Sequence, residues 1–373
     1  MKISNVEVLI LRLPKVLRVS DGTQDCCVIR IETDTGLIGI GEADSMPSVV
    51  KSIYDAKASN SIGRGLKDLL KGQDPLQIEP LLKLMKEGTQ YLGSSGVSLS
   101  AISGAEIALW DLAGKASGKP IYELMGGKFR NKIKVYASVL FPEDSHDFES
   151  VRTTAEKLRK AGYGAMKFGW GGFGSEKGAD LKLVEAARLG AGEDVDLMID
   201  VGFRWDLPTA IDRVAALAKY NLFWLEAPMP FEPADSYAQL CSRSNIRIAC
   251  EVPGGLEESI HFLQRSKLHV ILPDASNIGG LSQWKLLAQQ ASRQGAWCVP
   301  HNYSSSILTV ASAHLMANQP NINLLEFSES GSELSRGLVM PALAQVDGYI
   351  TVPNSPGLGV TLNMDTVAKY LVI

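Results

Sequence analysis

The spacing of hydrophobic residues changes along the chain and predicts an α+β domain first. Over residues 1–42, apolar and polar positions alternate around turn signals, most clearly at 27–32 before the turn Thr33-Asp34-Thr35-Gly36. This alternation predicts an antiparallel meander. From about residue 47 to 118 the apolar period becomes that of helices, and it is clearest at 101–113. We therefore predict an α+β domain over residues 1–125.

Beyond Gly126-Gly127, short apolar runs alternate with longer helical stretches. From the second run onward they repeat every 25 to 30 residues or so, the size of one βα unit, and eight such units can close into a barrel. We predict an α/β fold, a TIM-type (β/α) barrel over residues 126–339 behind an N-terminal capping domain that residues 340–373 rejoin. A doubly wound open sheet is the alternative, but no glycine-rich dinucleotide fingerprint follows the first strand. The eight candidate strands are 132–139, 163–168, 195–199, 222–225, 246–250, 269–272, 296–300 and 322–325.

Composition and charge exclude several classes of protein. Hydrophobic residues at 45% and charged residues at 21% are ordinary globular proportions. The net charge of -4, with no dense basic cluster, argues against a nucleic-acid partner. No window approaches the roughly 18 apolar residues of a membrane span, so we expect no membrane partner and a cytoplasmic location. The five cysteines lack paired zinc-ligand spacing and are expected to be reduced and packed.

Acidic residues close three successive predicted strands. Asp200, Glu226 and Glu251 end strands three, four and five, 26 and 25 residues apart. In a parallel barrel these strand ends surround one mouth, and three anions that close would repel unless a cation lay among them. Oxygen ligands suit a hard ion such as Mg2+. Alternatively, the carboxylates cap the following helices, and Glu257 or Glu258 could replace Glu251.

The later strands end in a second polar set. Asp274, His301 and Glu326 follow strands six, seven and eight, 27 and 25 residues apart. A carboxylate beside a histidine fixes its tautomer and raises its basicity. We therefore predict that His301 is a general base oriented by Asp274. A structural histidine, and an Asp274 that caps the helix near Gly279-Gly280, are the alternatives.

The end of the second strand supplies two further candidates. Lys167 could stabilise a substrate carboxylate or its enolate, or could simply pair with Asp200 at the rim. The glycine-rich stretch 169–174 is predicted to be a flexible loop that places Trp170 at the mouth. It could instead cradle a phosphate, but no helix-opening Lys-Ser/Thr follows it.

These residues together resemble the enolase superfamily and, within it, the mandelate racemase subgroup. The resemblance covers almost the whole chain. It implies that the three carboxylates bind Mg2+, and that a proton beside the carboxylate of a small-molecule substrate is removed. Lys167 and Glu326 would then act on the substrate carboxylate oxygens, for which Glu326 would have to be protonated or donate through water. The motifs are Leu-Met-Ile-Asp200, Trp-Leu-Glu226-Ala-Pro, Glu251 after strand five, Pro-Asp274 with Ile-Gly-Gly downstream, Pro-His301 and Leu-Glu326-Phe.

Two departures from the subgroup pattern bear on the reaction. The second lysine of the common Lys-x-Lys is Gly169 here, and the asparagine of Asp-x-Asn is Gly202. Without a base for the other face of the substrate, simple racemisation is disfavoured. A single base suits dehydration, as in the similar acid-sugar dehydratases. There the histidine takes the C2 proton and returns it to the departing C3 hydroxyl, which gives a 2-keto-3-deoxy acid.

The resemblance thus predicts a Mg2+-dependent hydro-lyase acting on an aldonate or aldarate. In this fold the capping domain would set specificity. The candidate substrate-binding residues are Arg18, Ser20 and Asp21, together with Trp170 of the barrel loop. One alternative is a racemase or epimerase that uses His301 and a second base such as a displaced Lys167. Another is a catalytically idle member that only binds ligand or partners. Because related barrels often assemble, a homo-oligomer is expected.

Overall fold

The N-terminal part of the chain forms a three-stranded antiparallel sheet covered by helices. The computed structural model describes residues 1–93, 95–231, 233–252, 254–329 and 331–372. The longest helix of this part, α4 (Val97–Ser117), is buried along most of its length, as expected of a helix without a polar face. The predicted meander is confirmed. Its strands, in spatial order, are β1 (Ile3–Arg12), β2 (Asp25–Thr33) and β3 (Ile38–Glu42), and the helices are α1 (Pro47–Asp55), α2 (Leu66–Leu70), α3 (Ile78–Gly88), α4 (Val97–Ser117) and α5 (Ile121–Leu124).

Eight parallel strands with intervening helices follow, in agreement with the predicted fold class. The strands are β4 (Lys132–Leu140), β5 (Ala165–Gly169), β6 (Asp196–Asp200), β7 (Leu222–Glu226), β8 (Arg247–Cys250), β9 (Val270–Ile271), β10 (Trp297–Cys298) and β11 (Leu325–Ser328). Their spatial order is β10-β9-β8-β7-β6-β5-β4-β11. The helices are α6 (Phe148–Lys160), α7 (Lys177–Ala191), α8 (Leu207–Leu217), α9 (Ala234–Arg243), α10 (Leu256–Ser266), α11 (Leu281–Arg293) and α12 (Ser306–Ala317).

One buried cluster takes a residue from each of the eight strands or their immediate flanks, which places it inside the barrel. Successive side chains of a strand point to opposite faces, so the residue two positions further on faces the same interior, one layer nearer the mouth. The fold therefore directs positions 138, 167, 200, 226, 251, 274, 301 and 326 toward one point. The members of the cluster two positions earlier are Tyr136, Ala165, Met198, Trp224, Ala249, Leu272, Val299 and Leu324.

The last three barrel strands differ from their predicted limits. Strands β9 and β10 have two residues each, and an isolated parallel bridge between Asp274 and His301 continues their pairing. The eighth strand begins at Leu325, where the prediction had it end. The backbone at Ile322, where the predicted strand began, binds a side chain and not a neighbouring strand. Arg130 donates a hydrogen bond of 2.8 Å to the carbonyl of Ile322.

The C-terminal tail contacts both parts of the molecule. Strand β13 (Tyr349–Thr351) adds antiparallel to β4, and β12 (Val339–Met340) pairs with β14 (Thr361–Leu362). The amide of Val372 donates a 2.8 Å hydrogen bond to the carbonyl of Ile10 in β1. Among the described residues, no helix has both the length and the apolar character that crossing a membrane requires. The tail elements are α13 (Glu333–Gly337), β12 (Val339–Met340), β13 (Tyr349–Thr351), β14 (Thr361–Leu362) and α14 (Met364–Tyr370).

Candidate active site

Three carboxylates converge at the mouth of the barrel. Asp200, Glu226 and Glu251 each offer an oxygen within 4.8 Å of the other two. Asp200 and Glu226 are buried, and Glu251 is partly buried. Burial, with the nearby Asp200 charge, raises the pKa of Glu226 to about 8 against the opposing effect of Lys167. Crowded carboxylates that resist ionisation favour a bound cation, and the all-oxygen donor set fits a hard divalent ion such as Mg2+.

Lys167 lies buried among these acidic side chains. Its Nζ atom is 2.7 Å from Glu226 Oε1, 2.9 Å from Glu326 Oε1 and 3.8 Å from Asp200 Oδ2. Burial alone would lower its pKa, but Glu226 and Glu326 outweigh burial and hold the pKa well above its usual value. The side chain therefore stays an ammonium. The sequence suggested Asp200 as a partner of Lys167, but Asp200 is the most distant of its three acidic neighbours.

Glu326 connects the ends of the seventh and eighth strands. Its Oε2 atom accepts a 2.9 Å hydrogen bond from the amide of Asn302, whose side chain donates back to the Glu326 carbonyl at 2.9 Å. Burial alone would raise its pKa, but the positive charges of Lys167 and His301 outweigh burial and lower the pKa to about 2. Glu326 is therefore ionised and accepts hydrogen bonds, in contrast to the protonated form considered above. Asn302 was not predicted, although it directly follows His301.

His301 and Asp274 form the expected pair. His301 Nδ1 is 2.8 Å from Asp274 Oδ2, and its Nε2 is 3.3 Å from Glu251 Oε1. Asp274 Oδ1 accepts hydrogen bonds from the amide and the hydroxyl of Ser276, at 2.7 and 2.5 Å. Burial lowers the pKa of His301, but Glu251 and Asp274 outweigh burial and raise the pKa well above its usual value. The geometry therefore orients the imidazole between two carboxylates.

Two buried glutamates of the capping domain hold the loops that carry this pair. Glu106, in α4, accepts a 2.7 Å hydrogen bond from the amide of Leu281, the first residue of α11. Glu42, at the end of β3, accepts from the amide of Leu308 at 3.1 Å and from the hydroxyl of Ser305 at 2.6 Å, at the start of α12. Helix α11 is thus capped by Glu106 and not by Asp274, which was the alternative offered by the sequence. Neither glutamate was predicted, because neither helix start lies near its partner in sequence.

A cavity of about 340 Å³ opens above these groups. Ser20 and Trp170, two of the predicted substrate-binding residues, line it. Arg18 is exposed, and neither Arg18 nor Asp21 is among the described lining residues. Asp21 instead accepts hydrogen bonds from the amide and hydroxyl of Thr23, because it caps its own turn.

The two glycines that depart from the subgroup pattern are both in close contact with site residues. A Cβ atom on Gly169 would lie 2.6 Å from the Cβ of Asp200. A Cβ atom on Gly202, which has a φ of +68°, would lie 2.9 Å from the ring of Trp170. Asp200 and Trp170 therefore occupy the space that larger residues would need.

The capped barrel with three converging carboxylates, a buried lysine and a His–Asp pair agrees with the family resemblance of the sequence. Residues 5–126 match the mandelate racemase/muconate lactonizing enzyme N-terminal domain. Residues 150–366 match the enolase C-terminal domain-like family. The chain therefore belongs to the enolase superfamily and, within it, to the mandelate racemase/muconate lactonizing enzyme family.

Named relatives carry out more than one reaction. The chain is 30% identical to the D-xylonate dehydratase of Haloferax volcanii, over 94% of this chain and 87% of that protein. It is 29% identical to the D-galactarolactone cycloisomerase of Agrobacterium fabrum, over 92% and 90%. A structure of a racemase from Streptomyces coelicolor with bound magnesium superposes with a TM-score of 0.86 at 26% identity, covering 99% of this chain and 100% of that one.

Proposed function

We propose that the protein is a Mg2+-dependent hydro-lyase that dehydrates an acid sugar, an aldonate or aldarate, to a 2-keto-3-deoxy acid. The observation that supports the proposal is that one side chain, His301, is positioned to act as a base. His301 is held by Asp274 at 2.8 Å, whereas the position of a second base is Gly169, where Asp200 fills the side-chain space. Similarity to a D-xylonate dehydratase supports the same class of reaction.

Asp200, Glu226 and Glu251 would hold the ion, because their oxygens already converge. Bound Mg2+ would stabilise negative charge on the substrate carboxylate as the enolate forms, and would offset the field of Glu251 at His301. Lys167, which keeps its charge between Glu226 and Glu326, would contribute a second positive group toward that carboxylate.

The proton would travel through one imidazole. In its neutral form, His301 donates its Nδ1 hydrogen to Asp274, which leaves Nε2 free to accept a proton. Nε2 takes the proton from the carbon beside the carboxylate, and the C–H electrons form the enolate. The imidazolium returns that proton to the hydroxyl on the next carbon, which departs as water. The resulting enol tautomerises to the 2-keto acid, and a shared proton carrier favours syn elimination.

A library of aldonates and aldarates, incubated with the protein and Mg2+ in deuterated water, tests this reaction. We expect a semicarbazide-reactive keto acid from at least one substrate, and no product with His301→Asn. Deuterium exchange without a keto product would overturn the dehydratase assignment in favour of an isomerase. Turnover that is unaffected by His301→Asn would discard the assigned base.

An isomerase is the second candidate, favoured by the comparable similarity to a D-galactarolactone cycloisomerase. In a racemase or epimerase the second base would be Lys167. Its ammonium is already paired with Glu226 and Glu326, at 2.7 and 2.9 Å, and these contacts hold it away from the position of a second base. The dehydratase is therefore the better account of the site.

A further inference from the structure

Trp224 lies in the buried layer of the barrel beneath the converging carboxylates. It precedes Glu226 by two positions on β7, so the two side chains point to the same interior face of the strand. The indole Nε1 atom donates a 3.0 Å hydrogen bond to Glu226 Oε2. Both side chains are fully buried, with 0% of their surface exposed. The motif Trp-Leu-Glu226 was noted in the sequence, but no role was assigned to its tryptophan.

The packing around Trp224 fixes the direction of its N–H group. The ring of Tyr136 meets the indole edge-on, with the two centroids 5.5 Å apart and the planes at 89°. The ring of Phe223 lies at the same centroid distance from the indole, tilted by 47°. Trp224 is also a member of the hydrophobic cluster that fills the barrel interior. Because such a close-packed interior leaves no room for rotation, the indole is a rigid donor.

The two oxygens of Glu226 are held by donors of different kinds. Oε1 is 2.7 Å from the Nζ atom of Lys167, and Oε2 accepts from Trp224. Lysine carries its charge on a flexible stem, and the proposed reaction directs Lys167 toward the substrate. The indole keeps its place whether or not substrate is bound. A carboxylate has about four lone-pair sites, so the hydrogen bond from Trp224 leaves others for an ion.

The other two carboxylates have holders of their own. Asp200 Oδ1 accepts a 2.9 Å hydrogen bond from the amide of Gly202, and Glu251 Oε1 lies 3.3 Å from His301 Nε2. A ligand whose orientation is fixed before the ion arrives loses less conformational freedom on binding it. Loss of a group that orients a metal ligand typically costs about 10- to 100-fold in affinity for the metal. The hydrogen bond to Glu226 should therefore contribute to the affinity for the ion.

We propose that Trp224 is a positioning residue, which holds Glu226 in the orientation that binds the divalent ion. This inference rests on the metal site of the proposed function and extends that site into the core of the barrel. Trp224 acts through Glu226 and contacts neither the ion nor the substrate. A tryptophan that only filled the core would stabilise the fold and leave the affinity for the ion unchanged.

Trp224→Phe tests the inference, because it removes the N–H donor and keeps an aromatic ring. In calorimetric titrations of the full chain with Mg2+ and no substrate, we expect Kd to rise by about 10- to 100-fold. Trp284→Phe is the matched control. Its indole is equally buried but donates at 2.9 Å to the carbonyl of Pro273. This control should also be less stable than the wild type in chemical denaturation, yet should bind Mg2+ with wild-type affinity.

A second measurement reports on the indole itself. With 15N-labelled tryptophan, the indole N–H signal of Trp224 is the one of the six tryptophan signals that Trp224→Phe removes. Mg2+ should shift this signal and leave that of Trp284 in place. If Trp224→Phe does not fold, 3-benzothienylalanine at position 224 replaces the N–H by sulfur at nearly the same shape, and the affinity of that protein decides.

Three results would overturn the inference and leave the proposed metal site standing. They are an unchanged Mg2+ affinity without the Trp224 donor, an equal loss of affinity in Trp284→Phe, and a Trp224 signal that Mg2+ does not move. Failure of the wild-type protein to bind Mg2+ would overturn the inference together with the metal site of the proposed function.

Discussion

The Nδ1 atom of His301 lies 2.8 Å from Oδ2 of Asp274, and the backbones of the two residues are also paired by a parallel bridge. The side-chain contact is thus fixed by the sheet that brings the sixth and seventh strands together. The Asp274 carboxylate holds the imidazole in one tautomer and also stabilises its protonated form. Both the position and the charge of Asp274 therefore matter.

Asp274→Asn should lower kcat by about a hundredfold, since the amide loses the charge that stabilises the imidazolium. Steady-state kinetics on the best substrate of the library would measure the loss. Ser276→Ala keeps the carboxylate and removes one of its hydrogen bonds, so we expect less than about a tenfold effect. Equal losses in the two variants would contradict the electrostatic role of Asp274.

Asp200→Asn and Glu226→Gln should each weaken Mg2+ binding by about a hundredfold or more, because each removes a charged oxygen ligand. The metal-free variants should remain folded, since the burial that raises the pKa of both carboxyl groups makes their ionised forms costly. Calorimetric titration with Mg2+ measures the affinity. Glu257→Gln, at an exposed position, is the matched control, and unchanged affinity in both ligand variants would discard the site.

Gly169→Ala should weaken Mg2+ binding by about tenfold, because the new methyl group would displace Asp200 from its present position. For the same reason Gly169→Lys should not create racemase activity, measured as deuterium exchange without dehydration. Gly164→Ala is the control, since a Cβ atom there has only the end of Lys134 within 4 Å. Tight Mg2+ binding by Gly169→Ala would show that the space is available after all.

Glu42→Ala should lower the free energy of unfolding by about 2 to 4 kcal/mol, because the donors of Ser305 and Leu308 lose their buried acceptor. Chemical denaturation of the full chain gives the value. Glu7→Ala removes a partly exposed ion pair with Arg30 and should cost less than about 1 kcal/mol. Similar losses in the two variants would argue against a structural role for Glu42 between the domains.

Glu106 should make stability fall as the pH rises from 4.5 to about 7. Burial raises its pKa in the folded protein to about 7, against opposing hydrogen bonds, so the folded state holds a proton there that the unfolded chain has released. As Glu106 ionises over this pH window, the free energy of unfolding should fall by about 3 kcal/mol. Denaturation at pH 5 and pH 8 should therefore show a smaller decrease in Glu106→Gln than in the wild type, whereas Glu79→Gln, at an exposed position, should match the wild type.

The site was predictable where it follows from strand periodicity. Glu326 lies at the barrel mouth even though its strand begins three residues later than predicted, because it is two positions beyond the interior residue Leu324. Arg18 and Asp21 could not be placed, since loop side chains have no such period. Glu42 and Glu106 were missed because their partners lie across the domain boundary, and one sequence contains no signal for which helix start meets which carboxylate.

Exchange of capping domains between relatives is an attractive way to transfer substrate preference, but the contacts of Glu42 and Glu106 limit it. A transplanted domain with a suitable loop but without these two acids would leave the starts of α11 and α12 with unsatisfied amides. The chimaera would then bind a new substrate, but His301 would be held less firmly in its catalytic position. Successful hybrids should be those that carry both glutamates across with the loop.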